Sequence, residues 1–183
     1  MNNDLYVIRH CETGLNIENK ISGGADIPIK NFVVDLKCFS EDRHTLIITS
    51  PLLRCIQTCE LIQKKIVIKD IIKDSRLVER DMGMLDGMEK NKAIRLYPNL
   101  FNSKGRFNPY EMPPSGESYE NFLERVKNFY CDLKEYMIES DVIVVSHNQT
   151  LKMLYSIIYQ VRLEDIWNSM NFQNGELVKF CFN

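Results

Sequence analysis

The chain has no surplus of either charge: 23 Lys and Arg against 25 Asp and Glu leave a formal net charge of -2 over 183 residues. Such a balance supplies no basic field for nucleic acid and no acidic tail, so no nucleic-acid partner is expected. Any anionic ligand must then be held by a local cluster of cations. No apolar stretch approaches the roughly 20 residues that span a bilayer. The opening MNNDLYVIRH also lacks the basic and apolar regions of a signal peptide. No membrane partner is expected, and the expected location is cytoplasmic. The six cysteines (Cys11, Cys38, Cys55, Cys59, Cys131, Cys181) form no CxxC pair and no ligand-like spacing with histidine. They are read as reduced packing thiols, and no metal site is expected. There is no internal repeat, no low-complexity segment, and there are only three histidines.

What is present is an ordinary globular composition, 44% hydrophobic and 26% charged, in a length suited to one domain over residues 1–183. Short continuous apolar runs at Leu5–Ile8, Leu46–Thr49 and Val142–Val145 predict strands covered on both faces, with further candidates at Ile66–Ile68 and Leu177–Phe182. Helical segments separate them. Ser50-Pro51 predicts a cap and a first helical position before LLRCIQTCELIQKK, with Leu52, Ile56 and Cys59 roughly on one face. A long helix is expected over Glu117–Glu139, where Phe122, Val126, Phe129 and Leu133 recur at helical spacing. Shorter helices are expected over Gln149–Tyr159 and Leu163–Met170, and the Gly- and Pro-punctuated stretch from Phe101 to Ser118 reads as a surface loop. The sum is a single α/β domain.

The chemistry concentrates where strands end. Leu5-Tyr6-Val7-Ile8 stops at Arg9-His10, and the strand Val142–Val145 stops at Ser146-His147. Open α/β sheets bind ligands outside the carboxyl ends of their strands. Arg54 follows Ser50-Pro51 in the first helical turn, where the helix dipole already supplies positive potential, so a cation there calls for a nearby anion. Two histidines and two arginines at strand–helix junctions make a compact pocket suited to a phosphoryl group. Segment Leu77–Gly87 adds carboxylates in a glycine-punctuated turn.

In combination these parts resemble the histidine phosphatase superfamily, which includes the cofactor-dependent phosphoglycerate mutases and many small-molecule phosphatases. Arg9-His10-Cys11-Glu12-Thr13 resembles its RHGET signature, followed by Asn16. Ser22-Gly23 with Asp26-Ile27-Pro28-Ile29 resembles a G-x-x-D-x-P-L turn, and Ser50-Pro51-Leu52 with Arg54 and Gln57-Thr58 an S-P-L-x-R-x-x-Q-T helix start. Leu77, Glu79, Gly83 and Gly87 match L-x-E-x-x-x-G-x-x-x-G. Pro113 to Ser118 resembles P-P-x-G-E-S, and Ser146-His147 the second histidine motif. The resemblance covers nearly the whole chain in order. It implies a three-layer α/β/α sandwich, phosphoglycerate mutase-like, with a mostly parallel central sheet.

It also implies a phosphohistidine intermediate on His10. Arg9, Arg54 and His147 would then surround the phosphoryl oxygens, and Glu79 would act as general acid and then base. Asn16, Ser22, Gly23, Asn148 and Lys90 would contact the substrate, a small phosphorylated molecule. No metal and no cofactor is implied, and the oligomeric state is left open. Four departures stand out, the largest between Ile29 and Thr45. Cys11 replaces a glycine and is read first as a small inert filler; it strains the chain if that position needs positive φ, and it sets a thiol beside the nucleophile. Asn148 replaces a glycine after His147, and Lys152 stands where arginine is common. Between Ile29 and Thr45 the family's helix is not recognisable, so a short or irregular element away from the chemistry is expected, with His44 on the surface. Mutases carry a long insertion that shields the intermediate from water. Here only about two dozen residues separate Gly87 from Pro113, which favours hydrolysis. Against this, Lys90 stands where mutases place a substrate lysine, while Met82 replaces their tyrosine. Substrate is expected to enter over Ile21–Gly24, Gly83–Lys90 and Phe101–Glu111, the last offering Lys104, Arg106, Phe107 and Tyr110.

Overall fold

The computed structural model describes residues 3–39 and 45–181; the expected positions of His44 and of the last residue of the Leu177–Phe182 run lie outside them. A five-stranded sheet has the order β3-β2-β4-β1-β5. Its strands are β1 (Leu5–Arg9), β2 (Thr45–Thr49), β3 (Asp70–Lys73), β4 (Asp141–Ser146) and β5 (Leu177–Phe180). The first four run parallel and β5 pairs antiparallel with β1 at the edge. The continuous apolar reading of β4 follows from burial on both faces. Val142 and Val144 join one core with Leu5, Val7 and Ile48, while Ile143 and Val145 join a second with Tyr6, Ile8 and Ile47. The first core is closed by α4 (Tyr119–Glu139), α5 (Asn148–Tyr159) and α6 (Leu163–Ser169). The second is closed by α2 (Leu53–Gln63). This is the three-layer sandwich.

Phe122, Val126, Phe129 and Leu133 are all buried on α4, as their spacing predicts. That helix starts at Tyr119, two residues later than expected, because Ser118 accepts from Asn121 N and caps it. Helix α2 begins at Leu53 with Leu52 in the capping position and no side-chain cap. Ser50 is therefore not its cap: its Oγ accepts from Leu52 N and faces His147 instead. The buried face of α2 is Arg54, Cys55, Thr58, Cys59 and Ile62, so Leu52 and Ile56 lie off it. The expected strand Ile66–Ile68 is a connection; β3 starts after it, where the Lys69 N–H reaches Thr45 O. Ile66 and Ile68 pack on the second core from outside the sheet, which explains their apolarity without a ladder. Two helices have no counterpart in the sequence reading, α1 (Gly14–Ile17) and α3 (Lys90–Leu96). Residues 30–39 are irregular, as expected. They are not remote, since Val33 O accepts from Cys11 Sγ beside His10. Among the described residues no helix is long and apolar enough to cross a membrane.

Candidate active site

Strands β1 and β4 end side by side, Arg9 in register with Ser146, and the ladder runs one step further as His10 N donates to Ser146 O at 2.9 Å. His10 is 3% exposed and its Nδ1 lies 2.7 Å from Cys11 O. A carbonyl only accepts, so Nδ1 carries the hydrogen and Nε2 keeps its lone pair. His147 caps α5 directly after β4, and the two imidazole centroids are 5.1 Å apart. Arg54 Nε donates to His147 Nδ1 at 3.1 Å, so the hydrogen of that ring sits on Nε2, which donates to Ser50 Oγ at 2.9 Å. Burial, with Arg54 and Arg9 adding repulsion, holds both imidazoles well below the usual histidine range. The unfolded chain therefore binds more protons than the folded one as pH drops below about 6.5. We expect stability to fall on acidification, each histidine adding at most about 1.4 kcal/mol per pH unit in that window. Urea midpoints at pH 7 and 5.5 check this, and His147→Gln should flatten the dependence.

Arg54 is fully buried and does not stand free to grip a ligand with every group. Its Nη1 donates to Ala25 O at 2.5 Å and its Nη2 to Gly23 O at 2.8 Å. The loop supplying those carbonyls is itself clasped: Asp86 accepts from Gly23 N through Oδ1 (2.8 Å) and from Ala25 N through Oδ2 (2.9 Å). Gly23 was expected to contact substrate, but both of its backbone groups are engaged in this relay. It is glycine because a Cβ would stand 2.8 Å from Met82 N. Asp86 thus acts on His147 through loop and guanidinium, and sequence reading missed it because aspartate in a Gly-bounded turn looks like surface. Asp86→Asn replaces one acceptor by a donor facing an N–H. We expect kcat to fall on the order of tenfold with KM far less affected, while a stability loss of about 1–3 kcal/mol leaves the chain folded.

Glu79 follows the turn Ser75–Leu77 and meets the N-terminus of α5. Oε1 accepts from Arg80 N, Thr150 N and Thr150 Oγ1, and Oε2 from Gln149 N at 3.2 Å. These donors fix the carboxyl group and leave Oε2 the oxygen with spare lone-pair capacity. The next residue, Arg80, is fully buried and ties the loop over it, donating to Pro109 O, Glu111 O and Glu117 O. Gly83 (φ +49°) lets this segment run against Pro114, whose oxygen a Cβ would meet at 2.2 Å.

A cleft of about 250 Å³ opens over these strand ends, lined by Arg9, His10, Glu79, Asn16, Ser22, Asn148 and Lys90 among others. Arg54, His147 and Gly23 lie beneath it instead. Asn16 Oδ1 is held by Thr13, and Asn148 Oδ1 by Phe172 N, so each turns its free amide hydrogens to donation. Among the described residues, the buried side-chain atoms without a hydrogen-bond partner are Arg9 Nε, Ser22 Oγ and Gln149 Oε1, all from residues of this cleft. Of the expected outer loop, Arg106 and Phe107 line it; Lys104 and Tyr110 do not, Tyr110 packing on Tyr119 at 4.9 Å. Lys152 and Trp167 line it too. The sequence marks Lys152 only as standing where arginine is common, and nothing in it singles out Trp167. Cys11 has no positive φ, its Sγ donates to Val33 O, and burial pushes its thiol up. Among the described residues no group of three or more His, Cys, Asp or Glu side chains is placed to hold a metal ion.

A mostly parallel sheet whose strand ends set two imidazoles, buried arginines and a carboxyl group in and beneath one cleft defines a phosphoryl-transfer protein of the α/β class. The chain belongs to the histidine phosphatase superfamily (branch 1), whose model matches residues 5–183. It is an enzyme, a phosphatase of that superfamily. It is 27% identical over 171 residues to phosphoserine phosphatase 1 of Hydrogenobacter thermophilus, covering 90% of this chain and 80% of that one. It is 28% identical over 211 residues to 2,3-bisphosphoglycerate-dependent phosphoglycerate mutase 2 of Lactobacillus johnsonii, covering 98% and 92%. YhfR of Bacillus stearothermophilus shares the fold with a TM-score of 0.80 at 21% identity, over 97% of this chain and 90% of that one.

Proposed function

We propose that the whole chain is one catalytic domain, a metal-independent phosphomonoesterase that acts on a small phosphorylated metabolite through a phosphohistidine on His10. The observation that carries this is the imidazole of His10. Its Nδ1 is bound to Cys11 O, which leaves the Nε2 lone pair for phosphorus in a cleft shared with Arg9 and Glu79. Nε2 attacks in line, the N–P bond forms and the P–O bond to the leaving group breaks. Glu79 delivers a proton to the departing alkoxide. It then takes one from the water whose oxygen attacks phosphorus, releasing phosphate and neutral imidazole. Arg9 faces the phosphoryl oxygens with an unpartnered Nε, Asn16, Ser22 and Asn148 add neutral contacts, and Arg54 holds positive charge beneath, bonded to the neutral ring of His147. Its unpaired thiols suit a reducing, cytoplasmic setting.

Lys90 on the cleft wall favours a second reading, a cofactor-dependent phosphoglycerate mutase. A panel of phosphomonoesters, phosphoserine and phosphoglycerates included, assayed with chelator present and with mutase activity measured in parallel, separates the two. Phosphate release undiminished by chelator is the expected result. Phosphoryl exchange between positions without phosphate release would replace hydrolase by mutase.

A further inference from the structure

The cleft has more positive charge than one phosphoryl group needs. Arg9 serves the phosphoryl end beside His10; Lys20, Lys90, Arg106 and Lys152 line the rest, with Glu79 the one acidic side chain on its wall among the described residues. Lys20 is neutralised by Glu18. Lys152 is different in kind, a lysine 4% exposed on α5 with no carboxylate bonded to it. Its ammonium donates to Asn171 Oδ1 at 2.9 Å and reaches Trp167 O at 3.4 Å, both neutral, and stands 5.2 Å over the Trp167 ring. Arg106 converges from the outer loop, its Nη1 donating to the same Trp167 carbonyl at 3.0 Å. Trp167 is in turn fixed by Nε1 donating to Phe107 O at 2.7 Å. Burying an ammonium without a counter-ion is costly, and placing a guanidinium against it costs more, unless an anion binds between them.

Resting on the phosphatase reading above, we propose that Lys152 and Arg106, framed by Trp167, form a second anion subsite, and that the substrate is a phosphomonoester bearing a further carboxylate or phosphate. The groups facing Lys152 support the charge logic. Burial first, then Arg106, Arg9 and Lys90, lower its ammonium to about 8, against a single opposing carboxylate, Glu79. Lys152 therefore loses its charge as pH rises through that value in the free enzyme, which leaves Arg106 as the remaining cation of the subsite.

The test compares kcat/KM for 3-phosphoglycerate and glycerol 3-phosphate, esters alike except for a carboxylate in place of a hydroxymethyl group. The wild-type protein is expected to prefer the carboxylate on the order of tenfold or more, the worth of a charge-assisted hydrogen bond. That preference should decline above about pH 8. Lys152→Met should bring the ratio close to one through KM, and Lys152→Arg should restore much of it. Should Lys152→Met fail to fold, Arg106→Gln, at a half-buried loop position, gives the same reading. A wild-type ratio near one at pH 7, or a ratio untouched by these substitutions, overturns the subsite. Failure to hydrolyse even 4-nitrophenyl phosphate would instead overturn the phosphatase reading.

Discussion

Replacing His10 by alanine is expected to end turnover, lowering kcat by on the order of 10⁴-fold or more even with 4-nitrophenyl phosphate, since no other group can take over the covalent step. The side chain is buried beside His147, with its one hydrogen bond made to its neighbour's carbonyl. Its removal frees Cys11 O and leaves the Arg54–His147–Ser50 chain intact. The variant should thus fold, and circular dichroism with a urea titration establishes that before rates are compared. Rapid quench of the wild-type enzyme with labelled substrate should trap an acid-labile, base-stable phosphoenzyme that His10→Ala does not form. Robust hydrolysis by the folded variant would remove His10 from the nucleophile's place.

Glu79→Gln should have an effect that depends on the leaving group. An aryl ester whose alcohol needs little protonation should lose about tenfold or less, whereas an alkyl phosphate should lose on the order of 10² to 10⁴ in the first half-reaction. The substitution keeps one oxygen for the three bonds now made to Oε1. It also turns an amide donor toward Gln149 N or toward the Thr150 cluster, where every present partner donates. That mismatch should cost about 1–3 kcal/mol of stability, to be measured beside the kinetics. Equal losses across leaving groups would argue against proton delivery by Glu79 and leave it a positioning role at the start of α5.

Strands β1, β2 and β4 and the inner face of the long helix α4 were legible because the apolar residues there are buried. A run such as Val142–Val145 has a core on each side, so hydrophobicity alone marks it, and Phe122, Val126, Phe129 and Leu133 keep helical period against one of those cores. Strand β3 was displaced in the reading because it is an edge. Asp70–Lys73 is only partly buried, while Ile66 and Ile68 just before it pack from a loop and look more strand-like. Helices α1 and α3 bury too few residues to leave a period.

Linear order alone established which residue types recur at the strand ends, Arg9-His10 and Ser146-His147, and with them the α/β class. Tertiary structure alone decided which of them face the cleft and which support it from below. It also placed Asp86 against the loop that holds Arg54 and set Lys152 on the cleft wall. Backbone carbonyls explain the difference: Gly23, Ala25, Cys11 and Trp167 offer the oxygens that steer Arg54, His10 and Lys152. A carbonyl carries no letter in the sequence, and only its direction in space gives it an effect.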